Sequence, residues 1–362
     1  MAVTIFALMA SNYLGKLLRF TTFGESHGSR IGGIVDGFPA GIPIDMELIQ
    51  FQLSRRKPGQ SALTSPRSES DEVEILSGVF DGISTGAPIG FQIVNKDKKS
   101  GDYDHLKEVY RPSHADFTYA KKYGIRDHRG GGRSSARETA NWVVCGSLAR
   151  HLLHDIKIHS YVEQIGPIIC PHPWEELDLR SVDQYATRCP DLETSNRMTD
   201  WIEKMKEERD STGGVIRCVV TGLEVGLGEP IFGKVQARLG EALFSLNAVK
   251  GVEFGTGFQA AAMRGSEHND VWKKDKSMKS NHAGGILGGI TTGEPLHFRL
   301  AFKPTATIGK AQTALNQKNE TITLEAQGRH DPCVVPRAVP IVDALTAFVL
   351  ADLMLENKTR RP

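Results

Sequence analysis

Three consecutive glycines between two arginines, at 129–133, form the segment of this chain best suited to binding an anion. Glycine lets the backbone turn sharply and approach a ligand closely. Ser135 and Glu138 have the spacing of a capping box, which predicts that a helix begins here with its free N–H groups toward the anion. Forked guanidinium groups suited to phosphate or carboxylate accompany it: Arg129, Arg133 and Arg137. A capped surface helix with solvated arginines has the same pattern, so both interpretations stay open at this point.

Two histidines occupy turns that suit proton transfer. His27 lies in Gly-Glu-Ser-His-Gly at 24–28, and His114 lies in Arg-Pro-Ser-His-Ala-Asp at 111–116. Imidazole exchanges a proton near neutral pH, and a nearby anion favours its acid form. A histidine in a turn is also often structural. Ser26 does not make a hydrolase pair with its neighbour, because no Gly-x-Ser-x-Gly elbow surrounds it.

Two further segments combine charge with turn chemistry. Arg-Arg-Lys-Pro-Gly at 55–59 follows a predicted helix, whose dipole alone can account for the cations. In 328–333, Arg329 can bind an anion and Asp331 can orient or deprotonate a group, although an Asp-Pro turn before a helix fits equally well. No metal site is predicted, because His330 has no partner at metal-ligand spacing.

Repeated phrases indicate how the chain positions these segments. Residues 37–44 resemble 222–231, and residues 82–89 resemble 289–296, in the same order. Helical spacing follows each first phrase and a strand pattern follows each second phrase. The predicted helices are 45–56, 134–154, 233–247 and 338–356, and the predicted strands include 31–35, 89–94 and 296–302.

This order predicts two similar halves, near 13–165 and 213–362, joined by a polar insert at 170–212 with a charged helix at 199–209. Recurring glycine-proline turns without duplication would produce the same phrases. Residues 1–12 are expected to form an N-terminal extension without fixed structure, and Met9 is an alternative start.

The composition is that of an ordinary globular protein of 362 residues, with 40% hydrophobic and 24% charged residues. A net charge of +1 gives no general attraction to nucleic acid or membrane. No apolar run approaches the roughly 18 residues of a membrane span. The odd count of five cysteines favours free thiols in a reducing compartment, and so a cytoplasmic protein.

Seven segments, in order from about Tyr13 to the last predicted helix, resemble the chorismate synthase family. The first is the turn at 24–28 continuing to Ile-Val-Asp-Gly at 34–37, and the others are 55–60, 111–116, 130–139, 245–253, 280–289 and 328–333. The resemblance implies an α+β fold, a β-α-β sandwich of two pseudo-repeated halves, in a homotetramer. It implies a carbon-oxygen lyase that uses reduced FMN for the anti-1,4-elimination of phosphate from 5-enolpyruvylshikimate 3-phosphate. The product is chorismate, at the last step of the shikimate pathway to aromatic amino acids.

The same resemblance implies roles for individual positions. His27 would be an acid near the leaving phosphate, His114 would protonate or stabilise the reduced flavin, and Asp331 would lie near flavin N5 and help remove the substrate proton. The implied FMN-binding residues are Arg133, Ser134, Ser135, Asn247, Ala248, Gly288, Lys303, Pro304, Thr305, Ala306, Thr307 and Arg329. The implied substrate-binding residues are Arg56, Arg111, Ser135, Arg137 and Arg329.

One position departs from the family, since some members have arginine where this chain has Ala62, and it stays open whether Arg67 substitutes for it. Because a crowded cationic pocket repels itself when empty, loops at 55–67 and 100–130 are expected to close over bound ligand.

Two competing functions differ in chemistry. A flavin-dependent oxidoreductase would consume a nicotinamide cofactor, but no Gly-x-Gly-x-x-Gly follows a strand. A separate system is therefore expected to supply reduced flavin, with NADPH involved only indirectly. An RNA-binding protein using the glycine-arginine segment is disfavoured by the near-neutral charge and the absence of interleaved aromatic residues.

Overall fold

The computed structural model describes residues 12–57, 71–96, 106–325 and 331–360. All of the predicted N-terminal extension except Asn12 lies outside these ranges. The helices are α1 Met46–Arg56, α2 Asp116–Tyr123, α3 Thr139–Arg150, α4 Leu192–Glu207, α5 Val235–Phe244, α6 Gly265–His268 and α7 Val335–Lys358. The strands are β1 Tyr13–Gly15, β2 Arg19–Gly24, β3 Arg30–Asp36, β4 Val73–Ile75, β5 Val79–Phe80, β6 Ile83–Ser84, β7 Ile89–Val94, β8 Val109–Tyr110, β9 Lys157–Ile165, β10 Ile168–Ile169, β11 Gly214–Thr221, β12 Val249–Phe254, β13 Ile286–Leu287, β14 Ile290–Thr291, β15 Leu296–Phe302, β16 Gln312–Asn316 and β17 Thr321–Leu324.

Two five-stranded antiparallel sheets have matching topologies. Their strand orders are β1-β2-β3-β7-β4 and β10-β9-β11-β15-β12. In each half, two adjacent strands of the sheet are followed by a helix, an edge strand, a separate small hairpin, a further strand of the sheet and a long helix, and β1 or β10 adds the fifth strand. The phrases at 37–44 and 222–231 lead into α1 and α5. Those at 82–89 and 289–296 run from the hairpin into β7 and β15.

One boundary of the halves differs from the expectation. β9 was assigned to the end of the first half, but it pairs with β11 in the second sheet, from Ile165 opposite Gly214 to Lys157 opposite Thr221. The second repeat therefore begins before the polar insert, which interrupts it between β9 and β11.

Four helices, α1, α3, α5 and α7, form the layer between the sheets. α3 packs along α7 and reaches β3, while α7 reaches β9 and β11 of the other sheet. Apolar residues of both sheets and of these helices form one continuous buried core. The α+β sandwich of the sequence prediction is confirmed.

The central helix α7 is apolar enough to resemble a membrane span. The sequence predicted the helix but not this apolar character. An 18-residue window in it has a mean hydropathy of 1.9, and 89% of that window is buried within the protein. Two buried carboxylates hold it to both sheets. Asp343 accepts from Ser160 N at 2.9 Å, and Asp352 accepts from Leu18 N at 2.9 Å. These contacts identify α7 as the core helix of the sandwich.

Helix ends follow local chemistry. Asp45 caps α1 by accepting from Leu48 N at 2.9 Å, close to the predicted start. The charged helix of the insert begins earlier than predicted, at Leu192, because Asp191 accepts from Thr194 N at 2.8 Å.

The close packing of α3 on α7 predicts a substitution effect. A Cβ on Gly146 would lie 2.3–2.5 Å from backbone atoms of Ala344. We expect Gly146→Ala to lower the free energy of unfolding by about 1–3 kcal/mol, because the helices must separate. Urea unfolding measures this. In the control Gly240→Ala, an added Cβ in α5 meets nothing within 4 Å, so stability should rise by up to about 1 kcal/mol. Equal effects of the two substitutions would contradict the packing argument.

Candidate functional site

The turn that carries His27 joins β2 to β3 at one end of the first sheet. Gly28 N donates to Glu25 O at 3.0 Å and closes the turn. The glycine-rich loop packs directly on the imidazole, since a Cβ on Gly130 would lie 2.6 Å from His27 Cδ2 and 2.9 Å from Ser26 Oγ. Position 130 therefore requires glycine, and the loop packs against the ring. Within the described ranges, Ser26 Oγ is buried and has no hydrogen-bond partner.

Two predicted substrate-binding arginines share one buried carboxylate. Arg56, from the end of α1, places Nη1 at 3.2 Å from Asp71 Oδ2, and Arg137 Nη1 pairs with the other oxygen of Asp71. Arg56 also donates to Thr139 Oγ1 at 3.2 Å and to Ala136 O at 2.7 Å. In the part of the chain that the structure describes, this cluster pairs two guanidinium groups with one carboxylate. Asp71 had not been identified from the sequence.

A second cluster has the same ratio of charges. Arg111 donates to both oxygens of Asp116 at 2.8 Å, and Arg126 Nη1 lies 3.0 Å from Oδ1. His114 Nδ1 lies 3.0 Å from the same oxygen, which leaves Nε2 as the nitrogen for a ligand. Burial raises the pKa of Asp116, but hydrogen bonds from Arg111 and His114 outweigh it and hold that pKa far below its usual range.

The low pKa of Asp116 predicts acid sensitivity. Because the folded-state pKa lies below the unfolded value of about 4, the stabilising contribution is complete above that value and is lost as pH falls below it. We expect the unfolding free energy to fall less steeply between pH 5 and pH 3 in Asp116→Asn than in the parent protein. Urea titrations at several pH values measure this slope. Identical slopes would show that Asp116 does not carry the predicted charge.

The capping box predicted at Ser135 and Glu138 is wrong. Ser135 Oγ instead accepts from Arg137 N at 3.3 Å, and two short 3₁₀ turns precede α3. Glu138 accepts from Arg133 at 2.7 Å, so its carboxylate cannot reach back to the cap. The predicted helix at 134–154 therefore becomes α-helical only at Thr139.

The arginines beside the three glycines are occupied by protein groups. The Arg133 guanidinium donates to Gly24 O at 3.2 Å and Thr22 Oγ1 at 2.9 Å, and so ties the loop to β2. Arg129 pairs with Asp127 at 2.7 Å on the surface. These side chains hold the loop in place.

The second half contributes to the same site. Asn247 Nδ2 donates to Ser134 O at 2.8 Å, while Asn247 Oδ1 is buried and has no partner among the described residues. Lys303 N donates to Ala248 O at 2.9 Å, and Lys303 Nζ reaches Ser113 O at 3.2 Å. The predicted FMN-binding segments at 134–135, 247–248 and 303 are thus connected to the loop that carries His114.

Asp331 joins this region through an arginine that the sequence analysis missed. Arg337 Nη1 pairs with Asp331 Oδ2, and Arg337 Nε lies 3.5 Å from Arg56 O. Thr305 Oγ1 donates to Asp331 O at 3.2 Å. Arg337 lies in the first turn of α7, where the helix dipole disfavours a cation. An arginine at the start of a predicted helix therefore indicates a nearby carboxylate partner, and this could have been read from the sequence.

Some predicted residues are less firmly connected. Gly288 lies in the turn of the β13-β14 hairpin, whose next residue accepts from Val235 N, and no described contact joins it to the histidines. Pro304, Ala306 and Thr307 lie on the segment beside Thr305. Arg329, Ala62 and Arg67 lie outside the described residues, as do 58–67 and 100–105 of the two loops expected to close.

The described site thus brings together paired arginines, two histidines and buried carboxylates from both halves of the chain. The family model for chorismate synthase matches residues 18–355. A chorismate synthase from Flavobacterium psychrophilum is 51% identical over 97% of this chain and 99% of its own length. One from Porphyromonas gingivalis is 54% identical over 97% of each chain. A crystal structure of chorismate synthase matches with a TM-score of 0.76 at 32% identity, covering 94% of this chain and 93% of that one. The chain belongs to the chorismate synthase family.

Proposed function

We propose that this protein catalyses the anti-1,4-elimination of phosphate from 5-enolpyruvylshikimate 3-phosphate and so forms chorismate, the last step of the shikimate pathway. The observation that carries the proposal is the pair of clusters in which two arginines share one carboxylate, beside two histidines. The substrate has a phosphate and two carboxylates, and guanidinium groups suit both kinds of anion. The family membership supports the same reaction.

Three side chains carry the proton chemistry in this proposal. His27, packed against Gly130, donates a proton to the leaving phosphate, whose negative charge favours the imidazolium form. Asp331, held by Arg337, helps remove the substrate proton. His114 is fixed through Nδ1 by Asp116, which leaves Nε2 as the nitrogen that would protonate or stabilise the reduced flavin.

Reduced FMN is the proposed cofactor, and it would supply an electron-rich ring beside an electron-poor transition state. The unpartnered Asn247 Oδ1 fits such a group, because a buried acceptor requires a donor. The residues that would hold FMN are Arg133, Ser134, Ser135, Asn247, Ala248, Gly288, the segment 303–307 and Arg329. The proposed substrate contacts are Arg56, Arg111, Ser135, Arg137 and Arg329. Arg133 contributes mainly by holding the loop, since its guanidinium is engaged by β2.

An anaerobic assay tests the proposal. With dithionite-reduced FMN and the enolpyruvyl substrate, we expect chorismate and phosphate in equal amounts, and none when reduced FMN is omitted. Absence of both products in the complete mixture would reject the reaction. Product formation only with stoichiometric nicotinamide oxidation would favour the oxidoreductase.

We also propose that a separate system reduces the flavin in the cytoplasm. All five cysteines are buried and none forms a disulfide, which suits a reducing compartment. NADPH with oxidised FMN should give no chorismate until a flavin reductase is added. Chorismate formation without that addition would show that the chain reduces flavin itself.

The homotetramer is a further part of the proposal. Phe23 on β2 and Ile34 on β3 are about half exposed on the outer face of the first sheet, which an assembly would cover. Light scattering during size-exclusion chromatography should give about four times the monomer mass. A monomeric mass would reject the tetramer.

A further inference from the structure

Asn95, immediately after β7, connects the turn that carries His27 to the guanidinium of Arg137. Its Nδ2 donates to Glu25 O at 3.2 Å and to Gly28 O at 3.0 Å, the two carbonyls on either side of His27. Its Oδ1 accepts from Arg137 Nε at 2.8 Å. The side chain is buried.

The partners of Asn95 determine how its amide is oriented. Rotating the amide by half a turn would place Nδ2 against the Arg137 donor and Oδ1 against two carbonyl oxygens, so every contact would become repulsive. Only an uncharged group with donors on one side and an acceptor on the other satisfies this position. A carboxylate of the same shape keeps the Arg137 contact and loses both donors to the turn.

Further hydrogen bonds of Asn95 and Arg137 define the geometry of this connection. The backbone N of Asn95 also donates to Ser29 O at 3.1 Å, so both its main chain and its side chain bind the turn. Asp71 binds Arg137 through Nη1, and Asn95 binds it through Nε. One amide thus sets the separation between the proposed proton donor and a proposed substrate-binding cation.

We propose that Asn95 is a positioning residue that couples His27 to Arg137 and thereby aligns the acid with the bound phosphate. The inference rests on the proposed function, because it assigns Asn95 a role in the same elimination. Asn95 itself does not contact the reacting atoms. A displaced acid slows the chemical step, whereas the arginines continue to hold the substrate.

A double-mutant cycle with His27 tests the coupling. Asn95→Asp should lower kcat by about tenfold or more, because the turn loses both side-chain donors while Arg137 keeps its acceptor. The affinity of Asn95→Asp for the substrate, titrated calorimetrically in the presence of oxidised FMN, should be less than about threefold weaker than that of the parent protein. When His27 is already alanine, adding Asn95→Asp should change kcat by less than about twofold, since the aligned group is gone.

Controls separate positioning from general damage. Gln92 lies on β7, and its Nε2 donates to the exposed carboxylate of Glu74 at 2.6 Å. Gln92→Ala removes this amide and should leave kcat unchanged. If Asn95→Asp does not fold, Asn95→Ser is carried through the same cycle. Additive losses in the cycle, or an unchanged kcat in the single variant, would overturn the positioning role. A parent protein that makes no chorismate would instead reject the proposed function.

Discussion

Replacing His27 with alanine is expected to lower kcat for chorismate formation by roughly 10²-fold or more. The reason is that the departing phosphate loses its proton donor, while the arginine clusters that bind the anion remain. The change removes a ring against which Gly130 packs. It leaves in place the hydrogen bonds of Asn95 to the turn and to Arg137. Initial rates with saturating substrate and reduced FMN under anaerobic conditions measure the effect.

His172→Ala is the matched control for that experiment. This histidine lies in the polar insert with a half-exposed side chain, so its removal should not change kcat. The His27 variant should also unfold at about the same temperature as the parent. Turnover close to normal in His27→Ala would exclude the residue as the acid, even if the protein makes chorismate.

Replacing Asp71 with asparagine should destabilise the fold by about 3–5 kcal/mol. The substitution keeps the shape of the side chain but removes the buried negative charge that Arg56 and Arg137 share. Urea unfolding without ligand measures this loss. Asparagine also cannot accept from both arginines, so binding of the substrate should weaken in the same variant.

Asp127→Asn provides the comparison, because Asp127 pairs with Arg129 on the surface. Exposed ion pairs contribute little, so this control should change stability by less than about 1 kcal/mol. A similar small change for Asp71→Asn would show that the buried cluster does not depend on that carboxylate.

The fold could be predicted from the sequence where local patterns coincide with elements. The predicted strands at 89–94 and 296–302 have the bounds observed for β7 and β15, since alternating apolar residues face the helix layer. β9 was misplaced because pairing partners are not encoded locally, and Ile165 finds Gly214 across the whole insert. The helix after the glycines was predicted too early because a distant contact, between Arg133 and β2, draws Glu138 away from its cap.

The cations of the site were easier to predict than the groups that hold them. Arginines in glycine- and histidine-containing turns are conspicuous. Asp71 has no local sequence feature that distinguishes it from acidic residues that lie on the surface. Its role arises only when α1 and the segment before α3 converge on it. Asn95 was missed for the same reason, because its partners Glu25, Gly28 and Arg137 lie far away along the chain. Arg337 is different, since its partner Asp331 is close in sequence.

The most direct test of the account counts turnovers per flavin. A trace of reduced FMN is mixed anaerobically with the protein and a large excess of 5-enolpyruvylshikimate 3-phosphate. We predict many equivalents of chorismate per flavin, an equal amount of phosphate, and a flavin spectrum that is still reduced at the end, because the elimination has no net redox change. Product limited to one equivalent per flavin with oxidised flavin remaining, or no chorismate at all, would contradict the account.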